Sequence, residues 1–290
     1  MFYAYAVASM LGYALQGALL VPVARRMDGL TLAFIRNATF AVTLLPLLLL
    51  GDLGDLPLVL SHWKLLIVSG IAGTTFLAIL FHTYRSLPAG SSNALARVMS
   101  TTGLIVGAWI FFQETLRPIQ LLIIGLMLAA TFPLTIRRSK LAHLEEIKPS
   151  GVALILLAGC VHAVTIMIIT YLSREADPLV AGYVWEVTCS FITGIFLIFR
   201  RLLFKTKLKH RVTANDWMSV AWRASPTLIG TGAFTLAMQT GSPGVVSSIG
   251  ASSLAVTAIL GWKWYGDKLE PRQWWSIGAI IIAMIVLKFV

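Results

Sequence analysis

The stretches "WIFFQETLRPIQ" (residues 109–120) and "WKWYGDKLEPRQ" (residues 262–273) repeat one pattern at a spacing of 153 residues. Trp109 and Trp262 each stand five residues before an acid, Glu114 or Asp267. Leu116, Pro118 and Gln120 recur as Leu269, Pro271 and Gln273, and Gly125 recurs as Gly278. Each copy joins two long apolar runs. Its proline sits where the second run starts, and there a missing N–H costs nothing. A join written twice implies a fold written twice.

The apolar context decides the class. Of 290 residues, 58% are hydrophobic and 12% charged, whereas soluble domains carry about a quarter charged residues. This composition reads as an integral membrane protein. The net charge of +11 does not point to nucleic acid, because Lys and Arg cluster in short links between apolar runs, as in polytopic proteins with basic cytoplasmic loops. Cys160 and Cys189 lie inside apolar runs without metal-ligand or disulfide spacing and read as packing residues. The run from Phe2 to Ala24 is too long for the core of a signal peptide and has no basic lead, so it reads as the first span.

A helix needs about 20 apolar residues to cross roughly 30 Å of hydrocarbon. Ten runs qualify: 2–24, 30–50, 63–85, 89–112, 118–136, 151–172, 178–200, 217–240, 243–265 and 271–289. The expected fold is therefore all-α, with ten transmembrane helices. The polar link "RRSKLAHLEEIKPSG" (137–151) falls in the middle, five runs from either end. The division is residues 1–136 as a first five-helix repeat, 137–150 as linker and 151–290 as a second repeat. Five is odd, so the second repeat enters the membrane inverted. Inverted repeats about an axis in the membrane plane are a common build of secondary transporters, with the site between the repeats near the midplane.

With these motifs in order, the chain resembles the drug/metabolite transporter superfamily, in its ten-helix EamA-type branch. The likeness is carried by "LTLAFIRNATF" (30–40), by "YRSLPAGSSNAL" (84–95) leading to "WIFFQETLRPIQLLIIG" (109–125), and by "QTGSPGVVSSI" (239–249) leading to "WKWYGDKLEPRQWWSIG" (262–278). The resemblance implies export or exchange of small metabolites such as amino acids, nucleotide sugars or drugs. Many members carry a Trp late in the first helix, where this chain has Gln16.

Charge gives an expected sidedness. The links after spans one, three, five, seven and nine hold 15 Lys and Arg, against four on the opposite side. The positive-inside rule then places those links in the cytoplasm and both termini outside a cytoplasmic (inner) membrane, although the family resemblance implies cytoplasmic termini.

Ionisable residues inside spans are costly and are functional candidates by default. Glu186 in span seven is the first, with Tyr183 three residues earlier on the same helical face. The pair reads as a cation or ammonium site with cation–π assistance, as a protonatable coupling carboxylate, or as half of a buried ion pair with Arg36 or Arg97. Arg97 in span four suits a carboxylate or phosphate, or serves as the counter-ion. Arg36 is shallower and is expected to snorkel to the interface. His82 and His162 are candidates for proton relay, since His titrates near neutral pH, and also for packing. Gln16, Gln239, Ser248 and Ser252 complete the candidate substrate site. The serines of "VVSSIGASSLAVT" and the Gly103–Gly107 pair read first as close-packing positions. Glu114 and Asp267, at helix ends near water, read as structural.

No P-loop, HExxH or paired Cys/His motif is present, which argues against a membrane-embedded transferase and for a protein that is not an enzyme. No cofactor or metal is expected, and no ATP-binding segment. The reading is a secondary transporter for a small polar metabolite, an amino acid or related zwitterion or anion. The alternative is a carrier of amines or cationic drugs built on Glu186. A passive channel stays open at this point. Expected partners are the solute, the bilayer and protons as a candidate coupling ion, for a monomer or homodimer.

Overall fold

The computed structural model describes residues 1–24, 26–27, 29–83, 89–135, 149–204 and 212–290. Among them there is helix and no strand. The helices are α1 (Phe2–Ala24), α2 (Gly29–Thr43), α3 (Leu45–Leu50), α4 (Leu56–Ser61), α5 (Trp63–Thr83), α6 (Ala89–Phe112) and α7 (Pro118–Thr135). They continue with α8 (Pro149–Glu175), α9 (Pro178–Phe204), α10 (Ala214–Ala224), α11 (Thr227–Thr240), α12 (Pro243–Ala251), α13 (Ser253–Tyr265) and α14 (Pro271–Leu287). Most of the linker expected at 137–150 lies outside the described residues.

Seven stretches are long and apolar enough to cross a membrane, and α7 and α14 are shorter apolar helices. The protein is a multi-pass all-α membrane protein, and its helical runs are consistent with ten crossings. Three expected spans are interrupted. Leu44 leaves helical geometry just before Pro46, which cannot donate to the ladder. Pro226 likewise separates α10 from α11. At Ser252 α12 gives way to α13. The link between the second and third expected spans also contains a helix, α4.

The duplicated motif folds into one turn twice. Gln113 (φ 55°) and Gly266 (φ 67°) are the described residues with positive φ, and they occupy equivalent positions. After each, the acid's N–H reaches back to a carbonyl of the preceding helix: Glu114 to Ala108 at 3.2 Å, Asp267 to Gly261 at 3.4 Å. This is the left-handed helix stop that uses otherwise orphaned carbonyls. The next helix starts at proline, and the glutamine side chain three residues beyond the cap accepts its N–H. Gln120 takes Arg117 and Gln273 takes Glu270, both at 2.9 Å. The sequence repeat is thus a repeat of hydrogen bonds.

Lipid offers no hydrophobic drive between helices, so small residues and hydrogen bonds do the joining. Phe111, Leu126, Phe191, Ile198 and Leu202 are exposed, as lipid-facing residues would be. The expected Gly103–Gly107 packing face meets α8, where added Cβ atoms would lie 2.9 Å from Ala163 and 3.0 Å from Met167. Packing runs mainly across the chain's midpoint: α1 against α11, α5 and α6 against α8, α2 against α9, α7 against α14. A boundary between the first and second halves therefore passes through the centre of the bundle, and the buried polar side chains gather along it.

Candidate functional site

At Gly12 and Gly230 the backbones of α1 and α11 touch. A Cβ on Gly12 would fall 2.5 Å from the Gly230 nitrogen. That crossing sets Tyr13 beside Thr231, with their hydroxyl oxygens 3.0 Å apart. Thr231 spends its proton on Glu186 Oε1 at 2.9 Å, so Tyr13 is the donor to Thr231. The result is a relay, Tyr13 to Thr231 to Glu186, across three helices. Glu186 is 6% exposed. Its Oε2 has no hydrogen bond, and no Lys or Arg forms an ion pair with it among the described residues.

A second group stands alongside. Arg36 donates from Nη1 to Asn37 Oδ1 at 2.9 Å and lies 4.6 Å over the Phe40 ring. With the Gln16 amide turned to satisfy its neighbours, its oxygen accepts from Arg36 Nε at 2.5 Å and Nη2 at 3.2 Å, and its nitrogen faces Thr227 Oγ1 at 3.3 Å. Asn37 Nδ2 donates to Thr193 Oγ1 at 3.3 Å, and Thr193 meets Thr74 at 3.1 Å. The snorkelling expected of Arg36 does not occur. Buried Gln16 and Asn37 offer acceptors inside, so the guanidinium turns inward, within electrostatic reach of Glu186.

Arg97 forms no hydrogen bond or ion pair among the described residues, and it does not pair with Glu186. Tyr13 and His162 lie within its electrostatic reach, and Tyr13 is also within that of Glu186 and Arg36. His162 is held by Ser100, with Nδ1 to Oγ at 2.9 Å, and stacks on Phe76 with ring centroids 4.3 Å apart. Tyr13 is therefore within electrostatic reach of both Glu186 and Arg97.

The other candidates are placed apart from this centre. The Tyr183 hydroxyl donates to the Ala41 carbonyl at 3.0 Å, clamping α9 to α2. Ser190 joins the same helices by donating to the Asn37 carbonyl, and Trp185 donates to Ser69 Oγ at 2.9 Å. Ser248 bonds back to the Gly244 carbonyl at 2.6 Å and Ser252 to Ser248 at 3.5 Å, as close-packed helix serines do. Ser247 bridges to Thr101 at 3.1 Å. Gln239 is exposed at the end of α11. The side chain of His82 lies outside the described residues.

Reading for charge passes over Tyr13, Asn37, Thr193, Thr227 and Thr231. A signal for some of them exists. Tyr13 and Gln16 are three apart on α1, and Thr227, Thr231 and Thr235 recur every four residues on α11, so each set shares a face.

Residues 149–289 match the model of the EamA-like transporter family. A solved structure described only as "Crystal structure of protein" superposes with a TM-score of 0.77 at 13% identity, covering 99% of this chain and 96% of that one. That is a likeness of fold alone. No curated protein matches. The match spans the three helices that carry Glu186, Thr231 and His162, so that over residues 149–289 the chain is similar to the EamA-like transporter family.

Proposed function

We propose that this membrane transporter moves a small polar metabolite, an amino acid or related zwitterion or anion, across the cytoplasmic membrane by alternating access. The movement is export or exchange. One observation carries the reading: Glu186 and Arg97 both lack an ion-pair partner among the described residues, at the boundary between the halves, with Tyr13 in reach of each. Buried charges are ordinarily paired. A solute carrying both signs would supply the missing partners, its ammonium at Glu186 and its carboxylate at Arg97. Thr231 and Tyr13 then act as positioning residues, holding the Glu186 carboxylate with Oε2 free. Gln16 and Asn37 keep Arg36 from neutralising it.

Saturable counterflow in proteoliposomes tests for a carrier, since a pore shows none. Hydrogen bonds to charged groups are worth about 1.5–3 kcal/mol, so Glu186→Gln should cut uptake of a zwitterion by roughly ten- to a hundredfold without lowering the melting temperature. Unchanged kinetics would remove Glu186 from the site.

A second reading, an amine or quaternary ammonium carrier, rests on the free Glu186 oxygen alone. Arg97→Gln separates the two readings, because it abolishes zwitterion transport and leaves amine transport intact. Coupling to protons through Glu186 or His162, or simple exchange, is the proposed energy source. The charge distribution supports both termini outside, which a reporter fused to the C-terminus tests.

A further inference from the structure

Glu114, one of the twin acids, does more than end a helix. Arg174, at the C-terminal end of α8, meets Glu114 Oε1 at 2.7 Å, with the two side chains 23% and 26% exposed. The same guanidinium donates to the Met238 carbonyl at 3.1 Å and the Gly241 carbonyl at 3.0 Å, and lies 4.6 Å over the Phe112 ring. Its charge also suits the carbonyl-rich end of α11. One side chain thus ties the 113–117 turn of the first half to two helix ends of the second.

Neighbouring contacts close the same face. The Asp177 N–H donates to Asp55 Oδ2 at 2.6 Å, and Arg117 Nη1 to the Val290 carbonyl at 3.2 Å. Tyr3 donates to the Met284 carbonyl. Just inside lies an apolar seal. A Cβ on Gly244 would sit 2.8 Å from Ile105 and 3.1 Å from Leu116, which leaves no gap between the start of α12 and the first half. Glu114 Oε2 is buried with no partner among the described residues, so the carboxylate is half used in this arrangement.

We propose that Glu114 and Arg174 form a latch that holds the terminus-bearing face shut and must part for that face to admit solute. This rests on the transport reading above, since alternating access requires that the two halves separate there. Discrete packing arrangements, rather than gradual deformation, are what such a contact selects between. Its effect is to raise the population of the conformation closed on that face.

The test places a thiol behind the seal, by Ser247→Cys in full-length chain with Cys160→Ala and Cys189→Ala. Labelling by a membrane-impermeant maleimide is followed from each side, in right-side-out and inverted vesicles. Glu114→Gln, which keeps size and leaves the carbonyl bonds of Arg174 in place, should speed labelling from the terminus-bearing side on the order of fivefold. Arg174→Lys should do the same to a smaller degree. Unchanged labelling in both variants overturns the latch.

A second measurement joins Glu114→Cys to Arg174→Cys with a short reducible bis-thiol reagent. The crosslink should stop counterflow and reduction should restore it. Full counterflow under the crosslink overturns the proposal. Labelling needs no substrate, so loss of the transport reading leaves the latch result standing on its own.

Discussion

The turns at 113–117 and 266–270 agree in everything the backbone decides and differ in what their side chains touch. Both stop a helix with a positive-φ residue, return the acid's N–H to a carbonyl and restart at proline under a glutamine cap. Yet Glu114 pairs with Arg174 of the other half. The Asp267 carboxylate lies against Gly261 and pairs with no cation among the described residues. The glutamines differ as well. Gln273 is buried and donates to the Leu134 carbonyl at 2.8 Å, while Gln120 serves its own helix. Duplication preserved the local hydrogen bonds, because any copy of the segment makes them unaided. Contacts with the rest of the bundle diverged, because each copy meets different neighbours.

Three measurements of thermal unfolding in detergent sharpen or break this comparison. The largest difference is expected at the acids. Glu114→Ala strands Arg174 beside a part-buried turn and should cost about 1–2 kcal/mol, whereas Asp267→Ala should stay within about 0.5 kcal/mol. Equal losses would show that the two acids do the same work. Next come the glutamines. Gln273→Ala removes a cap and leaves the Leu134 carbonyl unsatisfied, for about 1–2 kcal/mol, against roughly 0.5 kcal/mol for Gln120→Ala. A reversed order would contradict the burial of the second turn. Smallest is the backbone. Gly266→Ala forces a Cβ into left-handed geometry at about 1 kcal/mol, and Gln113→Gly should stabilise by roughly 0.5 kcal/mol. The gain is modest because Gln113 Nε2 caps the Ile110 carbonyl at 3.0 Å and is lost with the substitution. Destabilisation by Gln113→Gly would mean that this cap outweighs the strain.

Much of the fold is legible along the chain because its determinants are local. Apolar length marks spans and proline marks helix starts, whereas the breaks at Pro46 and Pro226, inside runs expected as single spans, are seen only in the structure. The candidate site is legible in its charges and in Gln16. Glu186 and Arg97 stand out because ionised groups in lipid need a reason. Gln16 stands out as the departure from a family pattern. Threonine hydroxyls carry no such mark, since Thr231 donating to Glu186 and Thr170 bonding back to the Ile166 carbonyl at 2.8 Å look alike in one dimension. Depth along its helix does not predict where Arg36 points. Depth measures distance to water along a single helix, and the acceptors that hold it include Gln16, twenty residues earlier on α1.

By itself the sequence determined a hydrophobic, helical chain with a duplicated turn motif and a basic set of links, and it located the twin turns to the residue. Those properties depend on composition and on contacts within a few residues. Only the tertiary structure decided that Tyr13 and Thr231 hold the Glu186 carboxylate, that Arg97 has no ion-pair partner among the described residues and that Tyr183 turns away to Ala41. It also decided that Glu114 pairs with Arg174 of the other half, while Asp267 pairs with no cation among the described residues. Side-chain partners across a bundle depend on which helix faces meet and at what depth. No single helix carries that information.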